Sequence, residues 1–530
     1  MTGLSRRSFL GRTGAVTGTL IGGGALAQFL AACGAEEGNS STTMVDGGVL
    51  KVAIQSAPDQ LDPHKSGLSS AYHVFGLIHS NLVGMDPSGR VVPLLAERWT
   101  NPSPTRWIFQ LRQGATFHDG APVTAADVQF SLERILGRET ASPWATGLSS
   151  VERVSARGTG EVQIDLTEGF APLLTILSRN AQIVPRTHVE SGDPARKPVG
   201  AGPFKFVEWV QGDHITLEPF ADYFVADQPH VERVEIRFIP PSQASVQAVR
   251  SREVNFASTV PPQLLEPLRQ DAKLEVSSSK LAGLPEMIGF NVTRAPMDNK
   301  LLRQAIAWSV DRQAVHDVAF FGVGQIGSQE LGSASPWNDG QDPYKDGPDP
   351  ERAKQLLAES GLKLPLKLNY LANSAMASQA KIGEILREAL KPLGVELQIE
   401  VLESPAWLPR LVDKQYDIAQ LYNETVIDPD QMYSTYLAST APFNLFGYKN
   451  TDFDAAVAKA RKEPDEATRK ALYTEVRNFV FDDVPVFFVH YDMPAYLSSR
   501  DVLGVELRPT LNLALEHVGF AEGAKELAAN

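Results

Sequence analysis

The hydrophobic residues between positions 366 and 421 follow two different periods in turn. Where apolar residues alternate with polar ones they predict a strand, and where they recur every three or four residues they predict a helix. The predicted elements are strands at 366–372, 395–401 and 416–421, a helix from Ile382 to Leu393 that ends at Gly394, and a helix that begins at Ser404. Strands that alternate with helices in this way form a parallel sheet with right-handed crossovers.

Polar and aromatic residues follow the last of these strands. The stretch 421–433 reads Leu-Tyr-Asn-Glu-Thr-Val-Ile-Asp-Pro-Asp-Gln-Met-Tyr. Because ligands bind beyond the carboxyl ends of parallel strands, this loop is predicted to lie at the mouth of a binding cleft. Asp428 and Asp430 flank Pro429, so a turn followed by a helix start is an alternative interpretation of these three residues.

The N-terminal residues are predicted to be a targeting signal rather than part of the fold. Residues 5–10, Ser-Arg-Arg-Ser-Phe-Leu, resemble the twin-arginine export motif, and residues 30–34, Leu-Ala-Ala-Cys-Gly, resemble a bacterial lipoprotein box. We therefore predict a signal peptide at 1–32, lipidation of Cys33 and a flexible tether at 33–46. An uncleaved transmembrane helix is the alternative, weakened by the glycines of this segment.

Composition and charge narrow the class of protein. A chain of 530 residues, 43% hydrophobic and 21% charged, is an ordinary globular protein with several domains. Its net charge of −14 argues against a nucleic-acid partner, whose phosphates require lysine and arginine. Cys33 is the only cysteine, which excludes an intramolecular disulfide and a cysteine-based zinc site.

The motifs of common enzyme classes give no support for catalysis. The sequence lacks His-Glu-x-x-His, Gly-x-Ser-x-Gly and Gly-x-x-x-x-Gly-Lys. Residues 322–327 match Gly-x-Gly-x-x-Gly, but not the strand and tight turn that a nucleotide site needs, so we interpret them as a flexible loop. A metal site that combines His64 with a carboxylate of the 421–433 loop is an alternative, but we predict no metal and no cofactor, because isolated histidines are more often structural.

Several motifs, in a fixed order along the chain, resemble those of one known family. They are Pro-Leu-Leu-Ala-Glu-Arg-Trp at 93–99, Leu-Arg-Gln-Gly-Ala-Thr-Phe-His-Asp-Gly at 111–120, Gly-Ala-Gly-Pro-Phe-Lys at 200–205, Gly-Phe-Asn at 289–291 and Phe-Gly-Tyr at 446–448. This set is similar to that of the extracytoplasmic solute-binding proteins of the peptide/nickel class, family 5, which serve ABC importers. The resemblance extends over essentially the whole chain after the predicted signal peptide.

The resemblance implies an architecture. The fold class is α/β, with the two-lobed periplasmic-binding-protein fold (class II-like), an extra inserted subdomain and a hinged cleft between the lobes. Two crossing segments are expected near 287–291 and 489–496. The implied bounds are 47–81, 198–286 and 492–525 for lobe I, 82–197 for the inserted subdomain, and 287–491 for lobe II.

The resemblance also implies which residues face the ligand. Peptide-binding relatives place an aspartate four residues before the proline of the 421–433 loop, where it pairs with the α-amino group of the peptide. That position is Thr425 here, and the adjacent Glu424 is the candidate substitute. Trp337 and Tyr448 are added because they are aromatic residues in polar or loop settings. The full set of predicted ligand-binding residues is Ser66, Gly67, Leu68, Ser69, Trp337, Tyr422, Asn423, Glu424, Thr425, Asp428 and Tyr448.

The predicted function is that of a lipid-anchored, extracytoplasmic, monomeric binding protein without enzymatic activity. It would capture a solute, a peptide by default, by hinge closure and deliver it to the permease of an ABC importer. Sugars, other polar metabolites and metal chelates are alternative ligands, and presentation of the ligand to a membrane receptor is an alternative role. A secreted glycosidase that uses Asp428 and Asp430 is the alternative of a different class.

Overall fold

Two large β-sheets carry most of the buried apolar residues. In the computed structural model, the described residues are 43–279, 281, 283–422, 426–510 and 512–524. The strands are β1 (Met44–Val45), β2 (Val49–Ile54), β3 (Ser80–Asn81), β4 (Val83–Met85), β5 (Val91–Pro93), β6 (Ala96–Ser103), β7 (Arg106–Leu111), β8 (Val151–Arg157), β9 (Glu161–Leu166), β10 (Gln182–Ile183), β11 (Phe204–Val210), β12 (His214–Pro219), β13 (Arg233–Phe238), β14 (Phe256–Ala257), β15 (Leu274–Ser278), β16 (Leu284–Phe290), β17 (Gln325–Ile326), β18 (Leu366–Asn373), β19 (Val395–Leu402), β20 (Ile418–Tyr422), β21 (Val486–Asp492), β22 (Ala495–Ser499), β23 (Val502–Leu503) and β24 (Gly519–Ala521).

The helices cover the faces of these sheets. They are α1 (Ser69–Ile78), α2 (Ala125–Leu136), α3 (Leu173–Leu177), α4 (Arg186–Ser191), α5 (Ser242–Arg250), α6 (Leu265–Arg269), α7 (Lys300–Ala307), α8 (Arg312–Ala314), α9 (Pro350–Glu359), α10 (Ala377–Leu390), α11 (Ser404–Val412), α12 (Pro429–Met432), α13 (Thr451–Lys462) and α14 (Glu466–Asp483). Short 3₁₀ turns occur at Ala145–Leu148, Pro262–Leu264 and Lys391–Leu393, and π turns at Val315–Ala319 and Tyr433–Leu437.

The first sheet has seven strands in the order β11-β12-β13-β2-β14-β22-β15. Its centre is parallel, because β2 pairs in parallel with both β13 and β14, and its outer strands are antiparallel. Leu50, Val52 and Ile54 of β2 are buried in its core together with Phe256. The sheet therefore combines strands from the beginning, the middle and the end of the chain.

The second sheet has six strands in the order β17-β21-β16-β20-β18-β19. β18 pairs in parallel with β19 and with β20, which confirms the parallel sheet predicted from the apolar periodicity. Both faces of this sheet are covered. Ile418 packs into the core on one face, and Ala419 packs into the core on the other. The central strand β20 is therefore buried without alternation, which is typical of strands between two helical layers, whereas the edge strand β19 keeps an alternating pattern.

A separate four-stranded antiparallel sheet, in the order β6-β7-β9-β8, lies within the predicted inserted subdomain. Helix α2 packs against it through Val128, Leu132 and Ile135. A capping box begins this helix, since the Asp127 carboxylate accepts hydrogen bonds from the backbone N and the hydroxyl of Thr124, at 3.0 and 2.6 Å.

The chain passes between the two large sheets twice, from β15 to β16 and from β21 to β22. The first passage comes earlier than the expected 287–291, because Leu284 already pairs with Asp492 in the second sheet. Gly283 and Pro285 obscure the start of this strand in the sequence, since both residues are typical of loops. The bounds of the lobes stay a prediction.

The Gly-x-Gly-x-x-Gly segment was expected to be a flexible loop, and this is wrong for its central residues. Gln325 and Ile326 form β17, which pairs antiparallel with the crossing strand β21. Gly324 has a φ of +100°, and a Cβ on it would lie 2.3 Å from the carbonyl oxygen of Tyr491 and 2.6 Å from Nε2 of His490. The glycine thus permits close packing on a crossing strand rather than phosphate binding.

We predict that Gly324→Ala destabilises the protein by about 1–3 kcal/mol more than Gly322→Ala, because a side chain at 324 is forced into packed atoms. Gly322 also has a positive φ, +72°, but no atom lies within 4 Å of a Cβ placed on it. It is therefore a matched control for backbone strain alone. Urea unfolding followed by tryptophan fluorescence measures both free energies. Equal losses in the two variants would contradict the packing role.

Candidate functional site

The three parallel strands of the second sheet end at the same edge, at Asn373, Leu402 and Tyr422. The crossing strand β16 runs antiparallel to β20, so its first residues lie at this edge as well. The strand ends thus place the start of the 421–433 loop at the carboxyl edge of the parallel strands, as the periodicity predicted. Asn423, Glu424, Thr425 and the side chain of Tyr422 lie outside the described residues, and their predicted ligand contacts stay predictions.

The far side of this loop is held by a buried ion pair. Asp428 and Arg469 are 2% and 4% exposed, and the two carboxylate oxygens of Asp428 accept hydrogen bonds from Arg469 Nη1 and Nη2 at 2.7 and 2.6 Å. Asp428 also caps α12, since its Oδ1 accepts from the backbone N of Asp430 at 2.9 Å. These contacts favour the helix-start interpretation and weigh against a direct ligand contact for Asp428.

Asp430 is equally enclosed. It is 5% exposed, its Oδ1 accepts from the Ser434 hydroxyl at 2.6 Å, and its Oδ2 lies 3.6 Å from Nε of Arg461. Burial raises the pKa of Asp430, and the nearby Arg461 opposes this rise. Because Asp428 and Asp430 are buried and engaged by arginines, they do not form the exposed carboxylate pair that a glycosidase needs.

A second buried network supports the helical turn that follows the loop. Arg477 of α14 and Glu330 are 1% and 0% exposed, with Nη2 and Oε1 2.9 Å apart. The hydroxyl of Tyr433 donates to Glu330 at 2.6 Å, and the Tyr433 ring stacks on Tyr473 with centroids 5.9 Å apart. Tyr433, an aromatic residue of the loop, is therefore part of the core.

Two of the predicted aromatic residues lie near these networks. The ring of Trp337 lies under the Arg469 guanidinium, with 4.8 Å between Cζ and the ring centroid, so Trp337 and Asp428 contact the same arginine. Tyr448 is 4% exposed and its hydroxyl donates to Asp483 at 2.6 Å. Its polar sequence neighbours suggested a cleft residue, but the structure places Tyr448 in the core, where its hydroxyl has a protein partner.

The predicted first-lobe segment consists of three exposed residues and one buried serine. Ser66 is 1% exposed and its hydroxyl donates to Asp59 at 2.5 Å. Gly67, Leu68 and Ser69 are exposed, and Leu68 immediately precedes α1 with half of its surface open to solvent. Among the hydrogen bonds of the described residues, none joins this segment to the predicted site residues of the second sheet.

His64 is not available as a metal ligand. It is fully buried, its Nε2 donates to the carbonyl oxygen of Gln182 at 2.8 Å, and its Nδ1 accepts from Arg134 at 2.8 Å. Arg134 is also bidentate to Asp62, at 2.9 and 2.6 Å. Burial lowers the pKa of His64 to about 4, so the ring is neutral near pH 7 with both nitrogens in use.

Two acidic residues that the sequence did not single out lie at the carboxyl edge of the second sheet. Glu286 of β16 is 6% exposed and accepts a hydrogen bond from Gln420. Burial raises the pKa of Glu286 well above its usual range, and the neighbouring Asp492 of β21 raises it further. No ion pair to either acid occurs among the described residues. Burial without a counter-ion disfavours the charged form of an acid, which is why the pKa of each of these residues is raised.

The arginines of α14 were also missed. Arg469 and Arg477 are eight residues apart, and both lie on the buried side of the helix with Leu472, Tyr473, Val476 and Val480. The signal that would have found them is their helical spacing within this apolar stripe, since arginine on a core-facing stripe requires a buried partner.

The described residues bear on the metal-site and membrane-helix alternatives. Across the ranges that the structure describes, no cluster of three or more His, Cys, Asp or Glu side chains is arranged to bind a metal. In the same ranges, the helices are too short or too polar to cross a bilayer.

Two large mixed sheets, two crossing connections and a loop at the carboxyl edge of the second sheet define a two-lobed solute-binding protein. The family model of the bacterial extracellular solute-binding proteins, family 5, matches residues 90–444. The chain belongs to this family.

Curated and solved relatives agree with this assignment. The glutathione-binding protein GsiB of Pectobacterium atrosepticum is 24% identical over 492 residues, which cover 89% of this chain and 94% of GsiB. The substrate-binding protein CtaP of Listeria monocytogenes superposes with a TM-score of 0.81 at 25% identity, covering 90% of this chain and all of CtaP. DppA of Helicobacter pylori, solved with the peptide STSA, gives a TM-score of 0.75 at 24% identity and covers 90% of this chain and 99% of DppA. These relatives are binding proteins.

We predict that Asp428→Asn lowers the free energy of unfolding by about 3–5 kcal/mol, because it leaves the buried Arg469 without a counter-ion. Asparagine keeps the capping function, so the loss reports the charge. Glu400→Gln removes the pair with Arg410, in which both side chains are 33% exposed, and is expected to cost less than about 1 kcal/mol. Chemical denaturation of both variants provides the comparison, and a loss for Asp428→Asn as small as that of the control would refute the assignment.

We predict that Glu286→Gln stabilises the protein at neutral pH relative to acidic pH. The folded wild type keeps this proton above pH 4.5, the usual pKa, whereas the unfolded chain releases it. The contribution of Glu286 to stability is therefore lost as the pH rises from 4.5 towards the raised folded pKa. Melting temperatures between pH 5 and 8 should converge at the acidic end and separate at the neutral end. Glu388→Gln, at an exposed position, should parallel the wild type throughout.

Proposed function

We propose that this protein binds a peptide-like solute between its two lobes and delivers it to the permease of an ABC importer. The observation that carries the proposal is the match of residues 90–444 to the family model. The parallel strands β18, β19 and β20 add to it, because all three end at the same edge of the second sheet. Residues 421–433 start at that edge. Hinge closure follows if the ligand contacts both lobes, because it then stabilises the closed state over the open one.

The ligand class rests on the loop and on the relatives. GsiB is a glutathione-binding protein, which supports a peptide-like ligand with charged ends. In the loop, Thr425 replaces the acid that pairs with a peptide ammonium in the family, and Glu424 is adjacent to it. We propose that Glu424 supplies the carboxylate and that the exposed residues Gly67, Leu68 and Ser69 contribute from the first lobe.

The membrane anchor is a further part of the proposal. Cys33 follows the uncharged segment 13–32 and is the only cysteine of the chain. Lipidation of this residue with two or more acyl chains would hold the mature protein durably on the outer face of the cytoplasmic membrane, since each buried methylene contributes about 0.8 kcal/mol. The twin arginines at 6–7 support export after folding.

Native mass spectrometry of the protein, purified from cells that export it, tests the chemical class of the bound ligand. The expected result is an adduct whose mass and fragmentation match one or more short peptides. An adduct with the mass of a sugar or a metal chelate would overturn the peptide assignment. Calorimetry with the identified ligand then compares Glu424→Gln with the wild type, and loss of a charge-assisted contact should weaken binding by about tenfold or more.

Glu403→Gln is the matched control for Glu424→Gln. Glu403 is an exposed acid directly after the neighbouring strand β19. The Glu403→Gln substitution removes one negative charge from the same edge without changing the proposed contact. The dissociation constant of this variant should therefore stay within about twofold of the wild-type value. Equal weakening in both variants would show a general charge effect and remove Glu424 from the site.

A further inference from the structure

The inserted subdomain and the second lobe contact each other directly, away from the two crossing connections. The backbone N of Ala171 donates to the carbonyl oxygen of Arg461 at 2.9 Å, at the carboxyl end of α13. Lys462 pairs with Glu168 at 2.7 Å. A Cβ on Gly169 would lie 3.1 Å from the carbonyl oxygen of Lys462, so the two segments are closely packed.

The side chain of Arg461 lies at the centre of this contact. Its guanidinium Cζ is 4.7 Å from the ring centroid of Phe170, and its Nε is 3.6 Å from Oδ2 of Asp430. Phe170 and Asp430 are 2% and 5% exposed, so neither end of this bridge is a mobile surface group. An arginine can stack on an aromatic face and pair with a carboxylate at the same time because its guanidinium is planar.

Each end of the bridge is fixed in a different part of the fold. Phe170 belongs to the hydrophobic core of the inserted subdomain, together with Leu173 and Leu177. Asp430 belongs to α12, within residues 421–433, which we call the ligand loop, and it is held by Ser434. A displacement of Arg461 is therefore transmitted to a buried group on either side rather than absorbed by a flexible side chain.

We propose that Arg461 is a positioning residue that couples the ligand loop to the inserted subdomain. The bridge from Asp430 through Arg461 to Phe170 fixes α12 relative to the subdomain, so the arrangement of the loop depends on the position of the subdomain. This inference rests on the proposed function only for its biological meaning, because the coupling itself is a property of the free protein.

The neighbouring contacts provide an internal comparison. Lys462 and Glu168 are both about half exposed, at 50% and 49%, and an exposed pair of this kind contributes little. The Ala171–Arg461 hydrogen bond uses the backbone and persists in any variant of the Arg461 side chain. The effect of the guanidinium is thus separable from the rest of the contact.

Hydrogen exchange of the ligand-free protein tests the coupling. The backbone N–H groups of Ile427, Asp428 and Asp430 are hydrogen-bonded within the loop, at 2.8, 3.1 and 2.9 Å. Phe170→Leu, which keeps an apolar side chain in the subdomain, should accelerate exchange of these amides by about threefold or more, as should Arg461→Gln. Lys462→Gln should leave them unchanged. Confinement of the Phe170→Leu effect to the subdomain would overturn the proposal.

A distance measurement tests the same bridge from the other side. Because Cys33 is the only cysteine, a Cys33→Ser background accepts spin labels at two exposed positions, Glu152→Cys in the subdomain and Ala358→Cys in the second lobe. Without ligand, Arg461→Gln should broaden the interspin distance distribution towards longer distances, and Lys462→Gln should not. Identical distributions for the wild type and Arg461→Gln would overturn the proposal. Neither measurement uses a ligand, so failure here is distinct from failure of the proposed function.

Discussion

The buried arginines of α14 set the shape of the region around residues 421–433. A guanidinium taken out of water must meet a carboxylate, because an unpaired buried charge costs several kcal/mol. Arg469 meets Asp428 at the start of α12, and Arg477 meets Glu330 beneath Tyr433. Each pair joins α14 to a segment distant in sequence. Residues 428–433 are therefore fixed by charge as well as by apolar packing.

The ion pairs distinguish two parts of the 421–433 loop, one that is packed into the protein and one that precedes it. Residues 428–433 form hydrogen bonds and ion pairs within the protein, and they have little exposed surface to offer a ligand. Under the proposed function, the ligand contacts are left to residues 423–425 and to the exposed residues Gly67, Leu68 and Ser69. Precise ligand sites generally depend on such separation, since a contact residue is only as well placed as the residues that support it.

Much of the fold could be predicted from the sequence because its signals are local. The periods of the apolar residues identified β18, β19 and β20 and the helices between them, and the direction of the strands then placed the loop. The family motifs supplied the overall class. The extra strand β17 was missed because glycines in a polar stretch are typical of loops, and only the packing against His490 explains them.

The site was harder to predict, since its contacts are not local. Asp428 and Arg469 are 41 residues apart, and Glu330 and Arg477 are 147 residues apart. No spacing rule links such pairs before the fold is known. The hydroxyl of Tyr448 and the carboxylate of Asp428 suit a ligand and a protein partner equally well. In the structure both have protein partners, Asp483 and Arg469. Glu286 was overlooked because a single acid within an apolar strand has no motif.

The pairing of the crossing strand β21 has a mechanical consequence. This strand is hydrogen-bonded on both edges, to β16 through Leu284 and Asp492 and to β17 through Gln325 and Tyr491. A strand that is hydrogen-bonded on both edges resists bending. Changes of backbone dihedral angle at this connection are therefore confined mainly to Met493 and Pro494, which lie between β21 and β22. The ring of Pro494 fixes one of the few remaining dihedral angles. At this connection the protein thus has a joint with very few degrees of freedom, which guides any rotation of the sheets along a narrow path.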